Sequence, residues 1–217
     1  MAALLDRLAL LPVSTLCDAD KTLPVVDPTI RAMLPGCRVA GPAHTVVAHD
    51  DHLAVLVALE LADPGSVLVI DTLGGRRAVC GELFATEARR RGLAGIVVDG
   101  FCRDLAGLRE VGLPVYARGT TPMSGGTRDP GTTGEDVHVG GVPASAGDLV
   151  IGDDDGLVVA PAARLTTIVD AAEEIDRAER ALLDGMADGR GLREMTNLGE
   201  HLAALAEHRD TALRFTV

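Results

Sequence analysis

The sequence predicts an α/β protein, and three observations carry that reading. Short apolar runs of strand type alternate with helical stretches through most of the chain. At its centre, residues 81–104 read in order as a helix N terminus, a helix, a buried strand and a tight turn carrying an acid. From Ala162 onward only the 3.6-residue period persists, which predicts helices at the C-terminal end.

The elements follow in order. Leu4, Leu5, Leu8 and Leu11 stand at helical spacing, predicting a short amphipathic helix over about Ala3 to Leu11. Ser14 or Thr15 is placed to cap a second helical turn bearing Asp18 and Asp20. Pro24, Pro28 and Pro35 break up the next stretch. Ala43 to Ala48 reads as a strand, with His44 and His49 as structural residues in or beside it. Asp50 or Asp51 caps an apolar helix from Leu53 to Leu61, which accounts for the cluster Asp50-Asp51-His52. Val67 to Asp71 is a buried strand, and Gly74-Gly75 opens a loop rising to the central helix.

That helix opens at Gly81-Glu82 and runs to about Arg91, with Gly92 as its stop. Glu82 suits a first turn, where the helix dipole favours negative charge, and Glu87 sits four residues before Arg91 on one face. Gly95 to Val98 is the strand and Asp99-Gly100 the turn. Then come a short helix from Leu105 to Val111 and a strand from Leu113 to Ala117. Residues 119–134, rich in Gly, Thr and Pro, make a long loop of the lid or binding type without a phosphate-cradling motif. Val137 to Val139 and Leu149 to Gly152 are strands. Asp153-Asp154-Asp155-Gly156 reads as a hairpin turn rather than a metal cluster. The first C-terminal helix breaks at Gly185 and again at Gly189-Arg190-Gly191, and a last one spans about Leu198 to Leu213. The organisation is a catalytic domain over 1–161 and a helical extension over 162–217, packed on the domain or on a neighbouring subunit.

Composition excludes several function classes. With 217 residues the chain can bury a sizeable core, and with 2% aromatics that core must be aliphatic. A formal net charge of −12 argues against nucleic-acid binding, which needs basic surface. The N-terminal apolar stretch is interrupted by Asp6 and Arg7, so neither a signal peptide nor a membrane span is expected, and a soluble cytoplasmic protein is the default. Cys17, Cys37, Cys80 and Cys102 show no zinc spacing and are expected to be reduced and mostly buried. Lys21 is the only lysine and lies in a polar segment, which disfavours Schiff-base chemistry.

Arg103 and Asp104 emerge past the carboxyl end of a strand, where α/β proteins usually bind ligands. Two readings fit them. They form a surface ion pair at a turn, worth little. Alternatively they belong to an anion and metal site. The backbone N–H groups near Leu83 and Phe84 would receive a carboxylate and Arg103 would fork onto it. Asp104 would offer a hard oxygen to Mg²⁺ or Mn²⁺.

The Gly81–Asp104 stretch resembles the signature of the RraA-like family, which includes 4-hydroxy-4-methyl-2-oxoglutarate aldolases. Shorter matches, among them Val39-Ala40-Gly41-Pro42-Ala43, Pro64-Gly65-Ser66-Val67, Gly112-Leu113-Pro114-Val115 and Asp155-Gly156-Leu157-Val158, extend the likeness from about Leu5 to Pro161. The resemblance implies a swivelling β/β/α domain and a homotrimer or homohexamer with sites between subunits. It implies a metal-dependent lyase releasing pyruvate from a 4-hydroxy-2-oxo acid and decarboxylating oxaloacetate. Asp104 would bind Mg²⁺ or Mn²⁺, and Arg103 with the backbone at Gly81, Leu83 and Phe84 would hold the substrate. Glu82 or a metal-organised water would take the hydroxyl proton, and Asp18 would reach a neighbouring subunit's site. The alternative is a non-catalytic member that binds and regulates a ribonuclease. The inhibitor branch lacks the acid after the arginine, so Asp104 discriminates between the two.

Overall fold

The computed structural model describes residues 1–216. Two compact units divide at Val169/Asp170, further along than the sequence boundary at 161/162.

The first unit begins with α1 (Ala2–Leu8) and α2 (Val13–Ala19), then β1 (Arg31–Ala32), β2 (Val39–Val47), α3 (Leu53–Leu61), β3 (Val67–Asp71) and β4 (Ala78–Cys80). It continues through α4 (Glu82–Arg90), β5 (Gly95–Cys102), α5 (Leu105–Val111) and β6 (Val115–Thr120). The strands β7 (Thr132–Thr133), β8 (Val137–Val139), β9 (Val142–Ala144), β10 (Leu149–Asp153) and β11 (Gly156–Ala160) follow, and α6 (Ala162–Ala187) then starts. The main sheet runs β1-β6-β5-β3-β2-β10-β11. Its centre, β2, β3, β5 and β6, is parallel, while β1, β10 and β11 join antiparallel. The end strands β1 and β11 approach each other, so the sheet is nearly closed.

Both faces of this sheet are covered, and the strand sequences say how. All five residues of β3 are buried. Leu68 and Ile70 pack with α3, α4 and α5 residues such as Leu59, Ala85 and Leu108. Val67 and Val69 point the other way, toward Val137, Val139 and Val142 of the β8–β9 hairpin. The period of two along a strand produces this split. Burying each of these aliphatic side chains is worth about 1.5–3 kcal/mol. A helical layer, a sheet and a β layer make the α/β architecture that the sequence predicts.

Several boundaries differ from the expectations, for physical reasons. The first helix stops at Leu8, and α2 is capped by no side chain of its own; Pro12 precedes it. The N–H of Val13 instead donates to Asp153 Oδ2 at 2.9 Å, so the hairpin acid caps a helix distant in sequence. The hairpin itself stands as expected, with Asp153 paired to Gly156 across the turn. Asp99-Gly100 is not a turn: β5 runs through it to Cys102. The register against β6 shifts between Val98 and Phe101, so the dipeptide is a bulge. Thr72 Oγ1 donates to the Asp99 carbonyl at 2.6 Å, and a Cβ on Gly100 would meet that hydroxyl. Strands β4 and β9 lie in stretches without a period-2 run long enough to read.

In the second unit α6 passes through Gly185 and ends at Ala187, a single helical glycine being tolerated at modest cost. A 3₁₀ turn (Leu192–Met195) and α7 (Leu198–Ala206) follow. The last helix is shorter than expected because the chain turns back. Asn197 Oδ1 accepts the Arg214 N–H at 2.7 Å, and Thr196 bridges Phe215. No helix among the described residues is long and apolar enough to cross a membrane.

Asp20 ties the end of α2 to the first turn of α6. Its carboxyl is held at about 2, first by the Thr22 hydroxyl and then by Arg164, which donates at 2.8 Å. The unfolded carboxyl titrates at about 3.9. The folded value is the lower one, so this contribution is fully present above about pH 4. It is lost as pH falls from about 4 to about 2. Wild type is expected to melt above Asp20→Asn at neutral pH, with the gap closing across that window in calorimetric scans. A gap constant with pH would assign the difference to something other than the carboxylate.

Candidate active site

The site is made where two neighbouring strands end. β4 pairs in parallel with the last residues of β5, placing Cys80 beside Cys102. Gly81 therefore lies next to Arg103, and the Arg103 N–H donates to the Cys80 carbonyl at 3.0 Å. Chain continuity does the rest. After Gly81 the chain enters α4, and after Arg103 it enters α5 through Asp104.

Gly81 is needed for this convergence. A Cβ built there would stand 2.6 Å from Asp104 Oδ2 and 3.0 Å from Arg103 Cγ. Its φ of −165° is ordinary extended backbone, so space and not strain demands glycine. Asp104 is strained in the other sense, with φ 59° and ψ 44°. Aspartate tolerates this left-handed region better than most residues, at about 1–3 kcal/mol.

A cavity of about 90 Å³ opens at this point, lined by His52, Ala78, Cys80, Gly81, Leu83, Phe84, Arg103, Asp104 and their neighbours Val79 and Ser124. No side chain caps the N terminus of α4. The first-turn N–H groups of Leu83 and Phe84 have no intrahelical partner, and they carry the positive end of the helix dipole. Arg103 Nε lies 3.3 Å from Asp104 Oδ2, with both side chains about two-fifths exposed. The two residues pair with each other and also line the cavity. As an exposed pair their mutual attraction is worth only about 0–1 kcal/mol.

The cavity wall opposite α4 comes from the long loop. Ala78 N–H donates to the Met123 carbonyl at 2.8 Å, and Gly125 N–H returns to the Ala78 carbonyl at 3.0 Å. Asp51 Oδ1 accepts the Leu53 N–H at the start of α3, and its Oδ2 accepts Arg128 and Asp129 N–H. Burial works to raise the Asp51 carboxyl, but these backbone bonds outweigh it and hold it below the ordinary range. The N-cap position of α3 is His52, with no side-chain cap, rather than Asp50 or Asp51; Asp51, one residue earlier, receives the Leu53 N–H and clamps the loop. The segment is a fastened wall rather than a free lid.

The remaining sequence candidates fall elsewhere. Glu82 is not among the residues lining the cavity: its carboxylate covers Gly107 on α5, where a Cβ would meet Glu82 Oε2 at 2.2 Å. Asp18 pairs with Lys21, away from the cavity of its own chain, and Lys21 is 74% exposed, which suits no covalent role. Asp154 accepts the Gly36 N–H, so the acidic hairpin is used structurally. His52 and Ser124 were not singled out by sequence. They reach the cavity through the fold of the loop, which has no local signature.

A divalent cation is tested by the donor set. Among the described residues no three His, Cys, Asp or Glu side chains form a cage. One carboxylate beside an anion-receiving helix end fits Mg²⁺ or Mn²⁺ of the kind that keeps several waters and shares its ligands with substrate. Asp104 is the residue that would hold it.

A parallel sheet that presents a helix N terminus, an arginine and an acid at its strand ends defines an α/β domain with a cavity at those ends. The chain belongs to the RraA-like family, whose model, described as aldolase/RraA, matches residues 13–159. It is 36% identical over 182 residues to a protein of Halalkalibacterium halodurans, covering 81% of this chain and 87% of the relative. It is 40% identical over 153 residues to a protein of Burkholderia multivorans, covering 66% and 92%. Both bear the name "putative 4-hydroxy-4-methyl-2-oxoglutarate aldolase". Among solved structures it resembles Streptomyces coelicolor RraAS2, described as an unusual member of the RNase ES inhibitor RraA family. The TM-score is 0.74 at 33% identity, covering 83% of this chain and 95% of that one.

The thiols at the site are inert by position. Burial pushes Cys80 far up and Cys102 up to about 11. Native protein treated with a thiol reagent at pH 8 is expected to react at the half-buried Cys17 and Cys37, with Cys80 and Cys102 reacting only on unfolding. Rapid native labelling of Cys80 would show a reactive thiol at the cavity instead.

Proposed function

We propose that this protein is a divalent-metal-dependent carbon–carbon lyase. Its substrate is a 4-hydroxy-2-oxo acid of the 4-hydroxy-4-methyl-2-oxoglutarate type, cleaved to pyruvate, with oxaloacetate decarboxylation at the same site. The observation that carries the proposal is the convergence of the α4 N terminus, Arg103 and Asp104 on one cavity. The names of the relatives agree with it.

The chain's own groups divide the work. The N–H groups of Leu83 and Phe84 and the planar fork of Arg103 receive the carboxylate of the 2-oxo acid. This fixes the adjoining carbonyl near Asp104. Asp104 would hold Mg²⁺ or Mn²⁺, which would supply Lewis-acid stabilisation of negative charge on the substrate's 2-oxo oxygen. Lys21 is exposed and paired, so no amine competes as an electron sink. The reading extends to a homo-oligomer, trimer or hexamer, in which the exposed Asp18 reaches the site of a neighbouring copy. The RraAS2 likeness would favour ribonuclease regulation instead. The Asp104 carboxylate inside an open cavity favours catalysis.

Asp104→Ala and Asp104→Asn are expected to stay folded and lose pyruvate release. Wild type should lose it in EDTA and regain it with Mg²⁺ or Mn²⁺. Added Mn²⁺ should raise the melting temperature of wild type by mass action and leave both variants unmoved. Equal Mn²⁺ binding by all three would place the ion elsewhere and return weight to the regulatory reading. Arg103→Lys keeps the charge but loses the fork, and kcat/KM should fall on the order of 10²-fold. Near wild-type kinetics would reduce Arg103 to a surface charge.

A further inference from the structure

We infer that His52 is an additional substrate-binding residue, the one that holds the 4-hydroxyl of the bound 2-oxo acid. The inference rests on the lyase reading above and deepens it.

The polar side chains lining the cavity are His52, Cys80, Arg103, Asp104 and Ser124. Arg103 and Asp104 gather at the α4 N terminus and serve the pyruvyl end. Burial keeps the Cys80 thiol protonated, a weak hydrogen-bonding group. A hydroxyl two carbons beyond the 2-oxo carbon needs a partner of its own, because an unpaired polar group taken out of water is costly. An imidazole offers both a donor and an acceptor.

His52 is held ready for that contact. Its N–H donates to the Gly126 carbonyl at 2.9 Å. Its ring meets Phe84 at 5.6 Å between centroids, tilted by 54°. Its neighbour Asp51 is locked by three backbone N–H groups. Among the described residues no protein group hydrogen-bonds the His52 ring nitrogens. The imidazole is thus fixed by backbone and ring packing, with its polar atoms left for a ligand. From α4 it faces only the uncharged Leu83 and Phe84, and Glu87, further along that helix, is engaged by Arg90 and Arg91.

The test separates the two halves of the substrate. Pyruvate has the carboxylate and carbonyl but no C4, so its binding reports the Arg103 end alone. His52→Phe retains a ring against Phe84, and His52→Gln restores a donor and an acceptor. For cleavage of 4-hydroxy-4-methyl-2-oxoglutarate, His52→Phe is expected to lower kcat/KM on the order of 10- to 100-fold, with partial recovery in His52→Gln. Pyruvate affinity, measured by calorimetry and as product inhibition, should change less than about two-fold in either variant. Unchanged kcat/KM in His52→Phe, or a matching loss of pyruvate affinity, overturns the assignment. So does the same selective loss in Ser124→Ala with His52→Phe unaffected. A wild-type protein that binds pyruvate yet cleaves no 4-hydroxy-2-oxo acid overturns the lyase reading, and this assignment with it.

Discussion

The parallel pairing of Cys80 with Cys102 is the constraint on which the site depends. It sets the ends of β4 and β5 side by side, so one helix N terminus and one Arg-Asp pair leave the sheet together. The missing Cβ of Gly81 lets them close to contact. Moving either strand by one residue would turn its side chains to the opposite face and separate the groups. The pairing is in turn held by the buried layer beneath it. Cys80, Cys102, Ile96 and Val98 pack in one cluster with α3, α4 and α5.

A second constraint is the Asp51 carboxylate. It serves α3 with one oxygen and the loop with the other. Hydrogen bonds to a charged acceptor are the stronger kind, at about 1.5–3 kcal/mol each. They convert a segment rich in glycine and threonine into a wall. Asp50 adds to this through its carbonyl, which accepts the Gly126 N–H at 2.8 Å. The same clamp fixes the backbone on which His52 sits.

The charge distribution also separates the whole from the site. The chain carries a net charge of −12, which would repel an anionic substrate at long range. The proposed binding of a carboxylate would therefore rely on short-range donors, namely the first-turn N–H groups of α4 and the Arg103 guanidinium. Many of the acids are consumed locally. Asp20, Asp99, Asp153 and Asp154 each bond a backbone N–H or an arginine.

The sequence by itself determined the α/β class, the central helix and strand, the Asp153–Gly156 hairpin and the pair Arg103-Asp104. These features are local, because apolar period, glycine stops and Asp-Gly turns act within a few residues. The Asp99-Gly100 bulge was not legible, since a turn and a bulge share that dipeptide and only Thr72 and the β6 register decide between them. Glu82 reads in sequence as a first-turn acid and a candidate base, but its carboxylate lies over Gly107 of α5. His52 and Ser124 became site residues only when residues 121–131 folded back on Ala78 and Asp51. Such contacts join residues 45 to 78 positions apart. No local pattern encodes them, because they depend on where the sheet brings the strand ends.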